Sequence, residues 1–444
     1  MNASSRQMHM GVFVLGTGNH TAGWRYEGAA TSHMQLPVIQ EIARIAEAGK
    51  FDLLFISDSM VMEPTDHPSF MCRFEPTTLI TVLSASTTHI GLGATVSTSF
   101  SEPFNVARIF GSIDHISGGR AAWNVVTSSN PKAALNFNRD EHLEHELRYQ
   151  RANEFVDVVR GLWDCWDDGA IVADKASGRF IDPDKVRALD HKGRFFQVKG
   201  PLNMARCPQG HPVIIQAGGS PSGLELAART ADVVFSVVQE LEAAKIAYAD
   251  LKGRMAKYGR SPDEIAVLPG VMPIIGASDA EAREQLAKLQ SWLTPTNAAT
   301  LVASRIGYDV SGHPLDGPVP PPPPFQGSRT FSHVLYETAQ REKMTLRDLY
   351  NLTAAARGHW VVCGTPQRIA DTLEEWFVGR AADGFNILPP YFPGAFADFV
   401  TLVVPELQHR GLFRRDYQGK TLRDHFGLPR VSPRTAQQWA VGHV

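Results

Sequence analysis

Ile90–Val96 (IGLGATV), Pro103–Ile116 (PFNVARIFGSIDHI) and Arg120–Thr127 (RAAWNVVT) follow one another in the chain, and their reading decides the fold. The outer two are short apolar runs with strand character. The middle one opens on proline and repeats apolar residues at helical spacing (Val106, Phe110, Ile113), as a helix between two strands would. The same alternation continues in both directions. Toward the N-terminus lie a strand at Gly11–Leu15, a helix at Pro37–Ala48 stopped by Gly49, a strand at Asp52–Ser57 and a helix over Pro76–Ser86. Toward the C-terminus, Asp140–Trp166 has helical spacing, and strands are expected at Val213–Gly218, Ala231–Val237, Ile265–Ile275 and Gly384–Leu388. Helices are expected at Ser222–Arg229, Glu240–Tyr258, Asp279–Leu293, Thr365–Val378 and Ala395–His409. Eight β-then-α units with apolar strands predict an α/β (β/α)8 TIM barrel, with an open doubly wound sheet as the alternative.

One domain over residues 1–444 is expected, with insertions after strands four and seven at about 167–202 and 294–358. Both are expected on the strand C-terminal side, the face where such barrels keep their chemistry. The second contains five consecutive prolines, Pro320–Pro324, which must run extended and unpaired as a loop wrapped on the body.

The 444 residues are 43% apolar and 20% charged, enough for a large core. Net charge is −3, from 43 basic and 46 acidic residues without a basic run, which argues against nucleic-acid or anionic-membrane binding. No stretch of 18 apolar residues exists and Met1–Met10 is polar, so neither a transmembrane helix nor a signal peptide is expected. Cys72, Cys165, Cys207 and Cys363 are widely spaced, as free buried thiols of a cytoplasmic protein would be.

Gly16-Thr-Gly18 and Gly91-Leu-Gly93 both lack the third glycine of a dinucleotide fingerprint, and no Walker A sequence occurs. Gly218-Gly219-Ser220-Pro221-Ser222-Gly223 is different. It lies between a strand and a helix, where backbone N–H groups, the helix N-terminus and the Ser220 hydroxyl can cradle a phosphate; the plainer alternative is a βα turn with a serine cap. His145-Glu-Leu-Arg-Tyr149 carries tyrosine where a helical zinc motif needs its second histidine, so no metal is expected. On a helix, His145, Arg148 and Tyr149 share one face, suited to phosphate or to solvent. Asp58, Thr98 and Asn124 each lie in or after a strand near its C-terminal end, as caps or as the polar edge of a ligand site. His20 follows strand one and His313 lies in the second insertion. Trp24, Phe55 and Trp123 read as core or pocket aromatics.

The blocks DLLFISDS, FEPTTLITVLSASTTHIGLGATVSTSFSEPFNVAR, DHISGGRAAWNVVTS, HELRYQRANEFVDVVRGLWD, DHKGRFFQVKGPLN and PVIIQAGGSPSG, in that order, resemble the bacterial-luciferase-like flavin-dependent monooxygenases. The resemblance runs from about residue 8 to about 425 and points to the nitrilotriacetate, EDTA, dibenzothiophene-sulfone and long-chain alkane monooxygenase branch. It implies a (β/α)8 barrel and oxidation of a small organic substrate by O2 through a flavin C4a-(hydro)peroxide. It also implies FMN used as FMNH2, supplied by a separate NAD(P)H-dependent flavin reductase, and a homodimer or homotetramer. It places Asp58, Thr98, Asn124, His145, Tyr149, Gly219 and Ser220 at FMN, with Tyr149 and Ser220 at the phosphate, and His20 near the flavin. His313 falls in the insertion that covers the substrate. A histidine with a near-neutral pKa would exchange a proton during the reaction. The same superfamily also contains deazaflavin-dependent hydride-transfer enzymes, and a non-catalytic flavin-binding barrel is the remaining alternative.

Overall fold

The computed structural model describes residues 6–62, 67–293, 302–303, 306, 308–310, 312–321 and 330–433. Nine strands form one parallel sheet: β1 (His9–Phe13), β2 (Leu53–Ile56), β3 (Gly91–Ser97), β4 (Ala121–Val126), β5 (Val213–Gln216), β6 (Val233–Ser236), β7 (Ala266–Ile275), β8 (Trp360–Gly364) and β9 (Gly384–Ile387). Each of β1 to β6 pairs with the next, β6 pairs with β7 and β7 with β9. β9 returns to β1 with Gly11 opposite Asn386, so eight strands close the predicted barrel. All eight expected strands are present. The ninth, β8, was not anticipated. It is a half-buried pentapeptide that follows the second insertion directly, and it pairs outside the closed ring, with Val271–Ile275 of β7.

The period-two alternation of the strands sorts their side chains into two cores. Leu53, Ile215, Val233 and Leu268 fill the barrel axis, while Phe110, Trp123 and Phe155 pack between sheet and helices. Trp123 is thus core, and its indole N–H donates to the Val96 carbonyl at 3.1 Å. Trp24, by contrast, is exposed. Helices α1 (Leu36–Ala48), α2 (Pro76–Ser84), α3 (Pro103–Ser117), α4 (His145–Trp163), α5 (Pro221–Thr230), α6 (Leu241–Arg254) and α7 (Asp279–Ser291) connect strands, and several begin on proline, whose missing N–H costs nothing in the first turn.

The barrel base is stapled by aspartates standing immediately before strands. Asp52 accepts from the Met10 backbone N–H at 2.7 Å, Asp232 from Ile214 at 2.8 Å and Asp383 from Val267 at 3.0 Å, each reaching the adjacent strand. Each also meets a cation: Arg414, Arg423 and Lys252 respectively. Leu422 and Phe426 close the base from below, with Leu422 against Gly91.

The first insertion forms two exposed antiparallel hairpins, Ile171–Asp174 with Arg179–Ile181 and His191–Lys192 with Gln197–Val198. It was expected at the mouth but enters after α4. It therefore sits at the base, where Asp168 pairs with Arg430 at 2.7 Å. The second contributes α8 (Thr330–Arg341) and α9 (Leu346–Ala356), with a small core of Val302, Leu335, Leu349 and Tyr350. It reaches the mouth because β8 begins level with the outer half of β7. The Tyr308 hydroxyl donates to the Pro320 carbonyl at 2.7 Å; Pro322–Pro324 lie outside the described residues. All four cysteines are free, but Cys72 is exposed, not buried. No helix among the described residues is long and apolar enough to cross a membrane.

Candidate active site

At the strand C-terminal ends the axis is capped by aromatic rings. Phe55 lies 5.1 Å from Phe13 and 4.8 Å from Phe235, centroid to centroid, and all three are buried. The rings of this apolar floor offer water no strong hydrogen-bond partner beneath the mouth. Beside it, the Asn124 amide donates to Thr95 Oγ1 at 2.8 Å and Thr95 donates to the Ile56 carbonyl at 3.0 Å. The chain of bonds fixes the Asn124 side chain and leaves its buried Oδ1 with no donor among the described residues. Thr98 is also buried, and its hydroxyl hydrogen goes to the Val126 carbonyl at 3.1 Å, so only its lone pairs remain for a ligand. Asp58 stands just past β2. Burial raises its carboxyl pKa, against the pull of the Ser59 backbone N–H and of Arg73.

Across the rim, α4 begins at His145 and brings Tyr149 to the glycine turn. The two rings are 4.9 Å apart. The Tyr149 hydroxyl packs so tightly on the turn that a Cβ on Gly218 or on Gly223 would sit 3.0 Å from it. A Cβ on Gly219 would meet nothing within 4 Å, so the backbone there faces open space. Ser220 is the N-cap of α5, its Oγ accepting from the Gly223 N–H at 3.2 Å. The plainer reading of the segment, a βα turn with a serine cap, is thus present in the structure. By their chemistry, the hydroxyls of Tyr149 and Ser220 and the open backbone at Gly219 suit a phosphate, and the free Oδ1 of Asn124 suits a hydrogen-bond donor.

The β1–α1 loop supplies His20. Gly18, at φ +101°, lets this loop pass the Tyr391 backbone where any Cβ would clash at 2.3 Å. His20 is fully buried, and burial lowers its pKa to about 3. The expectation of a near-neutral proton carrier is therefore corrected: this imidazole is uncharged at neutral pH. Its Nδ1 accepts from the Ala22 N–H at 3.1 Å, so the ring hydrogen resides on Nε2, which has no partner among the described residues. His20 presents a hydrogen-bond donor. His313, in contrast, is exposed on a turn of the second insertion, its backbone N–H donating to Val310 at 3.0 Å, and no contact among the described residues joins it to the mouth.

Sequence reasoning missed several residues beside His20. Arg357, at the end of α9, lies over the Phe13 ring at 4.3 Å and donates to Asn19 Oδ1 at 3.0 Å. His67 packs on Phe70 at 4.6 Å, and burial, then Arg357, Arg73 and His20, push it toward its neutral form. Phe13 and Phe235 were legible as inward positions at strand ends. Arg357 carried no local signal, because its place depends on how the second insertion folds.

The model for luciferase-like monooxygenases matches residues 8–384. The chain is 46% identical to the N-acetyl-S-(2-succino)cysteine monooxygenase of Bacillus subtilis, over 98% of this chain and all of that protein. It is 45% identical to nitrilotriacetate monooxygenase component A of Aminobacter aminovorans, over 96% and 98% of the two chains. Among solved structures, a riboflavin lyase with modified FMN and riboflavin superposes with a TM-score of 0.84 at 28% identity, covering 99% of this chain and 100% of that one. With the closed barrel and the mouth described above, these likenesses establish that the chain belongs to the luciferase-like monooxygenase family and is a flavin-dependent monooxygenase.

Proposed function

We propose that this chain is the oxygenating component of a two-component system in the cytoplasm, assembled as a homodimer or homotetramer. FMNH2 is delivered by a separate NAD(P)H-dependent flavin reductase, and O2 provides one oxygen atom for a C–N, C–S or C–H bond of a small organic substrate. The observation that carries this reading is the pairing, on one rim, of an anion-accepting turn with a dry aromatic floor. The component A name of the nitrilotriacetate relative supports a partner enzyme, and the riboflavin lyase supports FMN.

Bound reduced FMN would supply the electrons that activate O2. The chain's own residues do the rest. Tyr149, Gly219 and Ser220 hold the phosphate, with His145 against the tyrosine. Asp58, Thr98 and Asn124 line the polar edge of the ring system. Phe13, Phe55 and Phe235 exclude water, which otherwise diverts the oxidising equivalents to H2O2. His20 would present its Nε2 hydrogen to the oxygen being activated, and burial, which lowers its pKa to about 3, keeps the ring uncharged at neutral pH. The exposed His313 is assigned no step.

The test is a reconstituted assay with flavin reductase, NADH, FMN and 18O2 against aminopolycarboxylates, sulfides, sulfones and alkanes. One labelled oxygen atom in a product is expected. Flavin binding with no product from any class, or reduction by a deazaflavin without O2 uptake, would overturn the proposal.

A further inference from the structure

Beside the aromatic floor lies a set of cations and donors of which the oxygen chemistry proposed above uses only His20. The Arg73 and Arg357 guanidinium groups stand 5.2 and 5.8 Å from the centroid of the same ring, Phe70. Arg73 Nη2 is buried and has no partner among the described residues, and the same holds for Nε2 of His20 and of His33. Each histidine accepts a backbone N–H at Nδ1, His20 from Ala22 at 3.1 Å and His33 from Gly16 at 2.9 Å, so each Nε2 carries a hydrogen. His33 and His67 both lie close enough to Arg73 to feel its charge, and His67 also feels Arg357 and His20, which joins these groups into one cluster. The unsatisfied atoms of Arg73, His20 and His33 are therefore all donors. Asp58 is near Arg73 but forms no ion pair with it within 4.0 Å among the described residues. Leaving a buried guanidinium N–H unpaired is costly, and an oxyanion supplies the missing acceptors in the planar geometry that arginine favours.

We infer that this cluster binds an anionic group of the substrate, and that the molecule oxidised here carries a carboxylate held by Arg73 and Arg357 next to the aromatic floor. The inference rests on the monooxygenase reading and adds the substrate class to it. The phosphate of the flavin is the competing anion, and its cradle at Gly219–Ser220 is formed by other elements.

Two probes separate the outcomes: 3-(methylthio)propanoate and its methyl ester, titrated calorimetrically into the full-length protein with and without FMN. The acid is expected to bind and the ester to bind at least tenfold more weakly. Arg73→Gln is expected to weaken acid binding about 10- to 100-fold, the size of one hydrogen bond to a charged group, with partial recovery in Arg73→Lys and FMN affinity within about twofold of the wild type. Equal binding of acid and ester by the wild-type protein would overturn the inference without any variant. So would no binding of the acid, or a parallel loss of FMN affinity in Arg73→Gln, which would give the arginine to the flavin. In the 18O2 assay, labelled sulfoxide formed equally well from ester and acid would leave the monooxygenase reading standing and remove this one.

Discussion

The base and the mouth of the barrel use the same residue types to opposite ends. At the base, three buried carboxylates are closed circuits: Asp52, Asp232 and Asp383 each bridge a backbone N–H of the adjacent strand and a cation. At the mouth, Arg73, His20 and His33 keep buried donor atoms that have no partner among the described residues. A paired buried charge specifies structure, whereas an unpaired one reserves free energy for a ligand. The difference between these two sets of residues is the pairing of their polar groups, more than burial or charge itself.

Breaking the base should have the largest effect. Asp52→Ala strands the Arg414 guanidinium without its carboxylate and removes a staple between β1 and β2, so a loss of about 3–5 kcal/mol is expected in denaturant unfolding. Arg73→Gln at the mouth should leave the unfolding midpoint unchanged or raise it.

Acid gives the next effect. Burial lowers the pKa of His20 to about 3 and of His33, His211 and His425 to about 4, whereas in the unfolded chain each titrates near 6.5. Below about pH 6.5 the unfolded state then binds more protons than the folded one. Unfolding free energy should therefore fall as pH drops from about 6.5 toward 4, and stay flat on this account above 7. A profile flat down to pH 4 would show these rings to be solvated.

Smaller effects sharpen the contrast within the mouth. His20→Ala should lower product formed per O2 consumed by about three- to tenfold, the size of one lost hydrogen bond, with flavin affinity nearly intact. Unchanged coupling would remove His20 from the chemistry. Tyr149→Phe should weaken FMN binding by about 1 kcal/mol in a fluorescence titration. Ser220→Ala should weaken it similarly and also cost about 1 kcal/mol of stability, since the same hydroxyl caps α5.

Local pattern carried the barrel, because apolar strands and proline-started helices announce themselves within single windows. It carried the glycine turn too, since Gly218–Gly223 is one contiguous segment. Tyr149 became meaningful because helical spacing puts it on a face with His145. What escaped was whatever depends on distant segments meeting. Arg357 reaches Phe13 only through the fold of the second insertion, and β8 hides behind that insertion as five ambiguous residues. The first insertion was assigned to the wrong end because it was counted from strand four, although the helix between returns the chain to the base. The protonation of His20 was equally out of reach, because it depends on burial by residues from several loops.

The seam where β1 meets β9 sets a schedule for biosynthesis. Gly11 finds its neighbour only when Asn386 has been made, so most of the polypeptide leaves the ribosome while the first strand still shows a bare edge. Met10, Val12 and the glycine-spaced rows beside them are then open to wrong partners for the length of translation. An enzyme built this way depends on whatever shields nascent chains, and slowing synthesis ahead of residue 384 should lower its soluble yield more than slowing it afterwards.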